Sequence, residues 1–418
     1  MTIIERILSK GSGRKVGPGD KVESKVDLVV IRDLGGGEVV VQYEKSFGSE
    51  PVWDPARVAL TFDYQAPAKA AEVADSQRVC RQFARRQGIH RLFDVNYGIG
   101  QHVLLEHGLA RPGSVVVGTG SHINQLGAVS CFATGVSGPE MVAALRTGKL
   151  EFVVPETVKV TFKGSYSFPT CSKDLALHFV SRVGPKAAGG KTLEFYGHAL
   201  NEFQVHDALT LASLVTEIDG KTGFVPPNEQ VAAFLKSRIG QAIELPAADA
   251  DAAYSGSVDL DVQDLPPQVA CPHTPLNVKA VNEVRGTHID FAFIGSCTNG
   301  RFEDLALAAA VLKSAGKVHA NVQLTISPAT IEVARKCLRS GYYETFLDAG
   351  AIVTNPGCSL CAVGHHGALG RGDVLVSSSN RNLLGQLGEG AEVYLASPAT
   401  VAASAVKGEI TDPGEFLR

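Results

Sequence analysis

Residues 291–300 read FAFIGSCTNG. An unbroken apolar run, then a glycine and a polar stretch, describes a strand buried on both faces that empties into a loop at its carboxyl end. The same unit recurs along the chain: VALTF (58–62) runs into Asp63-Tyr64-Gln65, LFDV (92–95) into Asn96-Tyr97-Gly98, and SVVVG (114–118) into Gly120-Ser121-His122. Further on, AIVT (351–354) runs into Asn355-Pro356-Gly357-Cys358, and VLVS (374–377) into Ser378-Ser379-Asn380-Arg381. Strands of this kind alternating with helices predict an α/β fold of mainly parallel sheets flanked by helices. Ligands bind such sheets beyond the carboxyl ends of the strands, so these polar loops are where chemistry is expected.

At 418 residues the chain is long enough for two to three domains with substantial cores. Between about 244 and 277 the texture changes to LPAADADAAYSGSVDLDVQDLPPQVACPHTP, whose Pro266-Pro267 and acidic, Ala-rich run read as a linker crossing the surface. This predicts an N-terminal α/β region over 1–270, built of two similar halves, and a C-terminal α/β domain over 271–418. The last unit is clearly punctuated: Ser397 suits an N-cap, Pro398 the first helical turn and Gly408 the stop after Lys407.

Composition narrows the function. The net charge is −4, which gives no pull toward nucleic acid or an anionic membrane. The opening MTIIERILSKGSG reads as a short amphipathic helix rather than a signal peptide, and no apolar run is long enough to span a bilayer. The expected compartment is the cytoplasm. There, eight cysteines do not make a disulfide framework, so a special cysteine should bind metal or act in catalysis. Two read as small core residues instead: Cys80, on the apolar face of a helix over about 68–87 with Val73, Phe83 and Ala84, and Cys337, one turn after Val333.

Three others are distinctive. Cys297 lies in IGSCTNGRFEDL, and Cys358 and Cys361 lie in NPGCSLCAVGHHG. Each set follows a strand, which brings the thiols toward one edge of the C-terminal domain. Three thiolates suggest a metal centre with one position left open, as an iron–sulfur cluster would have. Two other readings fit the spacing: a zinc site completed by His365 or His366, and a Cys-x-x-Cys redox pair that would leave Cys297 without a role.

The order G-S-C-T-N-G-R, P-G-C-x-x-C, S-S-S-N-R-N and Y-L-A-S-P-A-T-V-A-A-S-A resembles the aconitase family, and the opening E-R-I-L-S…V-G-P-G-D-K-V looks like an isopropylmalate or homoaconitate dehydratase large subunit. The resemblance runs nearly end to end. It implies an aconitase-like fold and a 4Fe–4S cluster on Cys297, Cys358 and Cys361 whose fourth iron binds substrate. Carried over by position, Asn380 and Arg381 fit the family's substrate-binding pair, Ser121 and His122 its D-S-H, Glu217 the carboxylate near the open iron, and Asp63 the aspartate that orients a catalytic histidine.

Other positions depart from the pattern. Tyr64 stands where that histidine is expected, Gly120 replaces the aspartate of D-S-H, and G-I-x-H-Q reads Gly98-Ile99-Gly100-Gln101-His102. Ser213 replaces an asparagine four places before Glu217, Gln386 replaces a second arginine, and Arg32 stands near a pocket-lining glutamine or histidine. The family's base is a serine on a swivelling domain with a G-S-S-R-like motif, and no such segment occurs here. The resemblance therefore implies a separate small subunit carrying that domain. A phenol is a weaker acid than imidazole, so His102 or His122 is the candidate to replace the acid lost at Tyr64. The expected function is a hydro-lyase acting on a small 2-hydroxy carboxylic acid. The alternative is a cluster-bearing but inactive paralogue with a scaffold or sensing role; an RNA-binding sensor is disfavoured by the acidic charge.

Overall fold

The run Val58–Thr61 is a strand buried along its whole length, and it lies parallel to Leu28–Arg32 with Ile31 opposite Leu60. Leu28–Arg32 also pairs in parallel with Val115–Gly118, leaving the sheet order Arg91–Phe93, Val58–Thr61, Leu28–Arg32, Val115–Gly118, Phe132–Gly135. Helices Gly36–Phe47 and Ala71–Arg86 pack together over this sheet. Their apolar residues, Val39, Val40, Tyr43, Cys80 and Phe83, join Val29, Ile31, Val58 and Leu60 in one core.

The structure, a computed structural model, describes residues 1–241, 243–361 and 365–417. These residues form two compact units: unit 1 comprises 1–162 and 185–260, unit 2 comprises 163–184 and 261–418. Unit 1 holds the five-stranded parallel sheet, a two-stranded antiparallel ribbon (Lys21–Lys25 with Lys149–Val153) and a four-stranded sheet ordered Thr222–Phe224, Thr192–Tyr196, Thr157–Lys163, Gly256–Asp261, of which only the end residues Lys163 and Asp261 are counted with unit 2. Unit 2 is built on a seven-stranded sheet, of which Ile352–Val353, Gln323–Ile326, Phe291–Ile294, Val374–Ser377 and Glu392–Leu395 run parallel in that order. Gln268–Ala270 and Val278–Ala280 extend it antiparallel.

In each unit, then, the first strand of a parallel set is flanked by the second on one side and the fourth on the other. The chain reverses its direction of travel across the sheet between strands one and four, and such a switch point opens a crevice at the carboxyl ends. In unit 1 that crevice is bounded by the ends of Leu28–Arg32 and Val115–Gly118, in unit 2 by the ends of Phe291–Ile294 and Val374–Ser377. All the polar loops singled out by the sequence follow carboxyl ends of parallel strands.

The α/β expectation agrees with this architecture, and several local expectations need correction. The stretch 244–277 is not simply a linker. It contains strand Gly256–Asp261, in which Leu260 is buried and the acidic and serine residues face outward, and strand Gln268–Ala270. Alternating acidic residues on a half-exposed strand look like a solvated linker in composition alone. The division at 270 also has no place for residues 163–184, which leave the N-terminal part of the sequence and join unit 2. The helix carrying Cys80 spans Ala71–Arg86, with Val73 only half-buried. Helix Ile3–Ser12 and helix Pro398–Lys407 lie where expected, the second capped by Ser397 through its contact with the Thr400 N–H at 3.3 Å. Among the described residues no helix is long and apolar enough to cross a membrane.

Candidate active site

In unit 1 the loop after Val115–Gly118 winds into a 3-10 segment, Ser121–Val129, which packs against a second one, Leu214–Ile218. That packing places His122 Nε2 at 2.7 Å from Glu217 Oε1, with the side chains 12% and 5% exposed. An imidazole held this way by a nearly buried carboxylate has its tautomer and orientation fixed, as a general acid or base requires. Ser121 precedes the pair in the same turn.

A second cluster forms around Asp63. Its carboxylate is fully buried; one oxygen accepts from Arg32 Nε and the other from the Gly100 N–H at 2.6 Å. Burial pushes the Asp63 carboxyl up to about 6 against the opposing pull of Arg32. Gly100 has to be glycine, because a Cβ there would stand 2.5 Å from Thr61 Oγ1. Asp33, which sequence reading passed over, shapes the loop: its carboxylate accepts from the N–H groups of Asp63, Tyr64 and Gln65 at 3.0–3.2 Å. The signal for it was an acidic residue directly after an apolar strand, IRDLGGG. His102, together with Gln101, is buried in the first turn of helix Gly100–Glu106.

The departures from the family pattern are not scattered here. The Arg32 guanidinium lies over the Tyr64 ring, 5.3 Å from its centroid, while its Nε binds Asp63. A Cβ added at Gly120 would meet Arg32 Nη1 at 3.3 Å and Cδ at 3.5 Å. Arg32 thus fills space that a side chain at position 120 would need. Arg32, Tyr64 and Gly120 form one corner at the switch point.

In unit 2 the short helix Ser296–Asn299 packs against the 3-10 turn Ser359–Cys361, which brings the Cys297 loop to the Cys358–Cys361 loop. Cys297 and Cys358 are buried and Cys361 is half-buried. Ser296 and Ser359, each beside a cysteine, have φ of 72° and 51°. L-residues avoid that region at a cost of about 1–2 kcal/mol, and such strain gathers at functional sites. Asn380 Nδ2 reaches Cys297 Sγ at 3.8 Å, and Gln386 Nε2 reaches the Cys361 carbonyl at 3.4 Å. Gln386, expected at a substrate-binding position, therefore also tethers a cysteine loop. Arg381 is half-buried beside Asn380.

Two further residues shape these loops. Arg301 is buried; Nη1 donates to the Cys297 carbonyl at 3.2 Å and Nη2 to that of Thr298. Lys173, fully buried, donates to the carbonyls of Ser378 and Ser379 at 3.1 and 2.6 Å. Arg301 was visible in G-S-C-T-N-G-R; nothing local marks Lys173, because its partners are two hundred residues away in sequence. Part of the second cysteine motif, Ala362-Val363-Gly364, lies outside the described residues.

Against known families, the model of the aconitase family (aconitate hydratase) matches residues 7–286 and 277–408. The 3-isopropylmalate dehydratase large subunit 1 of Methanopyrus kandleri is 42% identical over 417 residues, covering 100% of this chain and 99% of that one. The chain belongs to the aconitase family. Within it the chain is of the 3-isopropylmalate dehydratase or homoaconitase large-subunit type. A probable methanogen homoaconitase large subunit of Methanothermobacter thermautotrophicus is 40% identical, with 99% of this chain and 97% of that one covered. Among solved structures, Thermococcus kodakaraensis aconitase X in its holo-form aligns with a TM-score of 0.54 over 91% of this chain and 93% of that one. At 14% identity this likeness speaks for the fold alone.

The family implies an iron–sulfur cluster, and the donor chemistry of unit 2 fits one. Three thiols sit on two loops that pack together, with an amide directed at one sulfur. Among the described residues no group of three or more His, Cys, Asp or Glu side chains is spaced to hold a single metal ion. Of the histidines weighed as zinc ligands, His366 is stacked on His365 at 3.9 Å between ring centroids, and its Nδ1 lies 2.9 Å from Ser359 Oγ.

Proposed function

We propose that the chain is the large subunit of a dehydratase that removes water from, and returns it to, a small 2-hydroxy carboxylic acid. Cys297, Cys358 and Cys361 would hold the 4Fe–4S cluster. The observation that carries the reading is the assembly around those cysteines: two strand-end loops packed together, with Asn380 Nδ2 at 3.8 Å from Cys297 Sγ.

When bound, the cluster supplies a Lewis-acidic iron for the substrate hydroxyl. The rest falls to side chains. Arg381 offers a planar fork for a carboxylate and Asn380 an amide beside it. His122, fixed by Glu217, holds a proton that it can deliver to or take from a departing hydroxyl. His102 stands as the second candidate for that role. Tyr64 lies under Arg32 and serves better as a pocket wall than as an acid, given its high intrinsic pKa. The family's serine motif for the base that removes the proton alpha to the carboxylate has no counterpart in this sequence, and the large-subunit names of the relatives support a separate small subunit as its source. Family membership and the assembled His122–Glu217 pair support an enzyme over an inactive scaffold.

The test is anaerobic reconstitution with iron and sulfide, co-assembly with a small subunit of the isopropylmalate dehydratase type, and assay against a panel of 2-hydroxy acids. Brown protein with close to four irons per chain, and turnover only in the two-subunit complex, is expected. Stoichiometric zinc without iron uptake, or full turnover by this chain alone, would overturn the proposal.

A further inference from the structure

Residues 163–184 leave the N-terminal part of the sequence to join unit 2, and the polar residues of that excursion are stitched in tightly. Asp174 Oδ1 accepts from the Gln268 N–H at 2.8 Å and Oδ2 from the Cys171 N–H at 2.9 Å, while Thr170 Oγ1 donates to the Leu265 carbonyl at 2.7 Å. What the excursion delivers is Lys173, an ammonium with 0% exposure.

A buried charge is costly unless it is paired. Among the described residues no carboxylate stands within ion-pairing distance of Lys173; its direct partners are the two carbonyl oxygens of Ser378 and Ser379. The acidic groups that act on it from further off are Asp304, Cys171, Cys297 and Asp174. Asp304 is already committed, accepting from Asn299 Nδ2 at 2.8 Å and the Arg301 N–H at 2.9 Å, with the Arg301 guanidinium at 3.5 Å. Asp174 is committed to two backbone N–H groups. Even with all four attractions acting, burial prevails and holds the Lys173 ammonium down to about 7. The protein alone leaves this cation short of negative charge.

The shortfall lies beside the cysteine loops. Lys173 grips the carbonyls of Ser378 and Ser379; the next residue, Asn380, meets Cys297 Sγ, and Ser378 Oγ accepts from the Gly295 N–H at 3.0 Å. Three thiolates outweigh the positive charge of an oxidised 4Fe–4S core, so the bound centre is a net anion. We infer that Lys173 is the buried counter-charge of the centre held by Cys297, Cys358 and Cys361, and that it raises the reduction potential of that centre while anchoring the Ser378–Asn380 loop. The inference rests on the cluster reading above.

The test compares the wild-type, K173Q and K173R proteins after anaerobic reconstitution, reading the midpoint potential and the rate of iron loss to a chelator. K173Q keeps an N–H donor and drops the charge. Its reduction equilibrium should fall about tenfold, about 59 mV toward negative potential for a one-electron couple, with faster iron loss. K173R keeps the charge and should stay near wild type. K173Q at the wild-type potential, or K173R displaced as far as K173Q, would overturn the inference. So would a K173Q chain that fails to fold even without the centre, since Lys173 would then be a structural tether. A wild-type chain that takes up no iron and sulfide would instead defeat the cluster reading itself.

Discussion

In unit 1 the loops at the switch point carry Arg32 and Gly120; in unit 2 the loops at the corresponding switch point carry Cys297 and Asn380. Both sheets have their parallel strands in the same order, and side chains brace the loop backbone in both, yet what stands on those loops differs. In unit 2 the bonds run mostly to backbone: Lys173 to two carbonyls, Arg301 to two more, Ser378 to Gly295. In unit 1 Asp33 holds the backbone of residues 63–65 in the same way, but the corner above it is a set of side chains, with Arg32 paired to Asp63 and stacked over Tyr64. Backbone-directed bonds fix where the thiols stand and tolerate little change. A side-chain corner can be rebuilt as a set and so can change what the pocket accepts. The sequence departures fall mostly on the unit 1 side: the three cysteines proposed as ligands are all present, while Arg32, Tyr64 and Gly120 differ together, with Gln386 the departure in unit 2.

The largest expected effect tests the unit 2 side of this contrast. Cys358→Ser should abolish the brown colour and all turnover, because a three-thiol site has no spare ligand. Cys80→Ser and Cys337→Ser, in the two hydrophobic cores, should keep the cluster absorbance and lose only some thermal stability. Retained iron and sulfide in Cys358→Ser would remove that cysteine from the ligand set.

Next in size is the pair in unit 1. Glu217→Gln and His122→Ala should each lower turnover by about 10²–10⁴-fold, the range for losing a positioned acid or base, with cluster absorbance unchanged. Because the two act as a unit, the double variant should be little worse than either single one. Multiplying losses would mean that His122 and Glu217 serve separate steps.

The corner itself is tested through stability. Arg32→Gln leaves Asp63 buried without its guanidinium, which should cost about 3–5 kcal/mol in chemical denaturation. Adding Tyr64→His and Gly120→Asp should recover part of that loss if the three positions are one set; strictly additive effects would break the idea of a rebuilt corner. A pH signature accompanies it. Asp63 holds its proton more tightly in the folded chain, about 6 against an ordinary value near 4, so its contribution is greatest at low pH and fades as pH rises from about 4 to 6. The gap in Tm between wild type and Asp63→Asn should narrow across that window, and a gap independent of pH would contradict the raised carboxyl.

How much of this was legible beforehand follows from the range of the interactions. Strand-loop units, the cap at Ser397 and the cysteine motifs are local patterns, and the sequence shows them directly. The Gly256–Asp261 strand was missed because alternating acidic residues resemble a solvated linker. Lys173 and the coupling of Gly120 to Arg32 depend on residues about two hundred and about ninety positions apart, and no local pattern reports such contacts. In the sequence Arg32, Tyr64 and Gly120 are separate departures; only in the fold do Tyr64 and Gly120 both meet Arg32.

The smallest expected effect concerns Gln386, which sits on the unit 2 side but behaves like a position of the adaptable kind. Its Nε2 donates to the Cys361 carbonyl at a long 3.4 Å, and its Oε1 accepts from the Leu383 N–H at 3.3 Å. Both bonds are near the limit of useful geometry and the side chain is half-exposed, so replacing it should shift stability by under about 0.5 kcal/mol. Arginine at this position keeps donors for the Cys361 carbonyl and adds a charge close to Arg381 in the chain. For a substrate with a second carboxylate the gain should be about 1.5 kcal/mol, the lower end for a charge-assisted hydrogen bond at a half-exposed group. Gln386→Arg should therefore lower KM for dicarboxylic hydroxy acids about tenfold, leave KM for monocarboxylic ones unchanged, and move kcat little in either case. A KM that shifts equally for both classes would mean that Gln386 acts only through the cysteine loop it tethers, and specificity would then rest with the unit 1 corner alone.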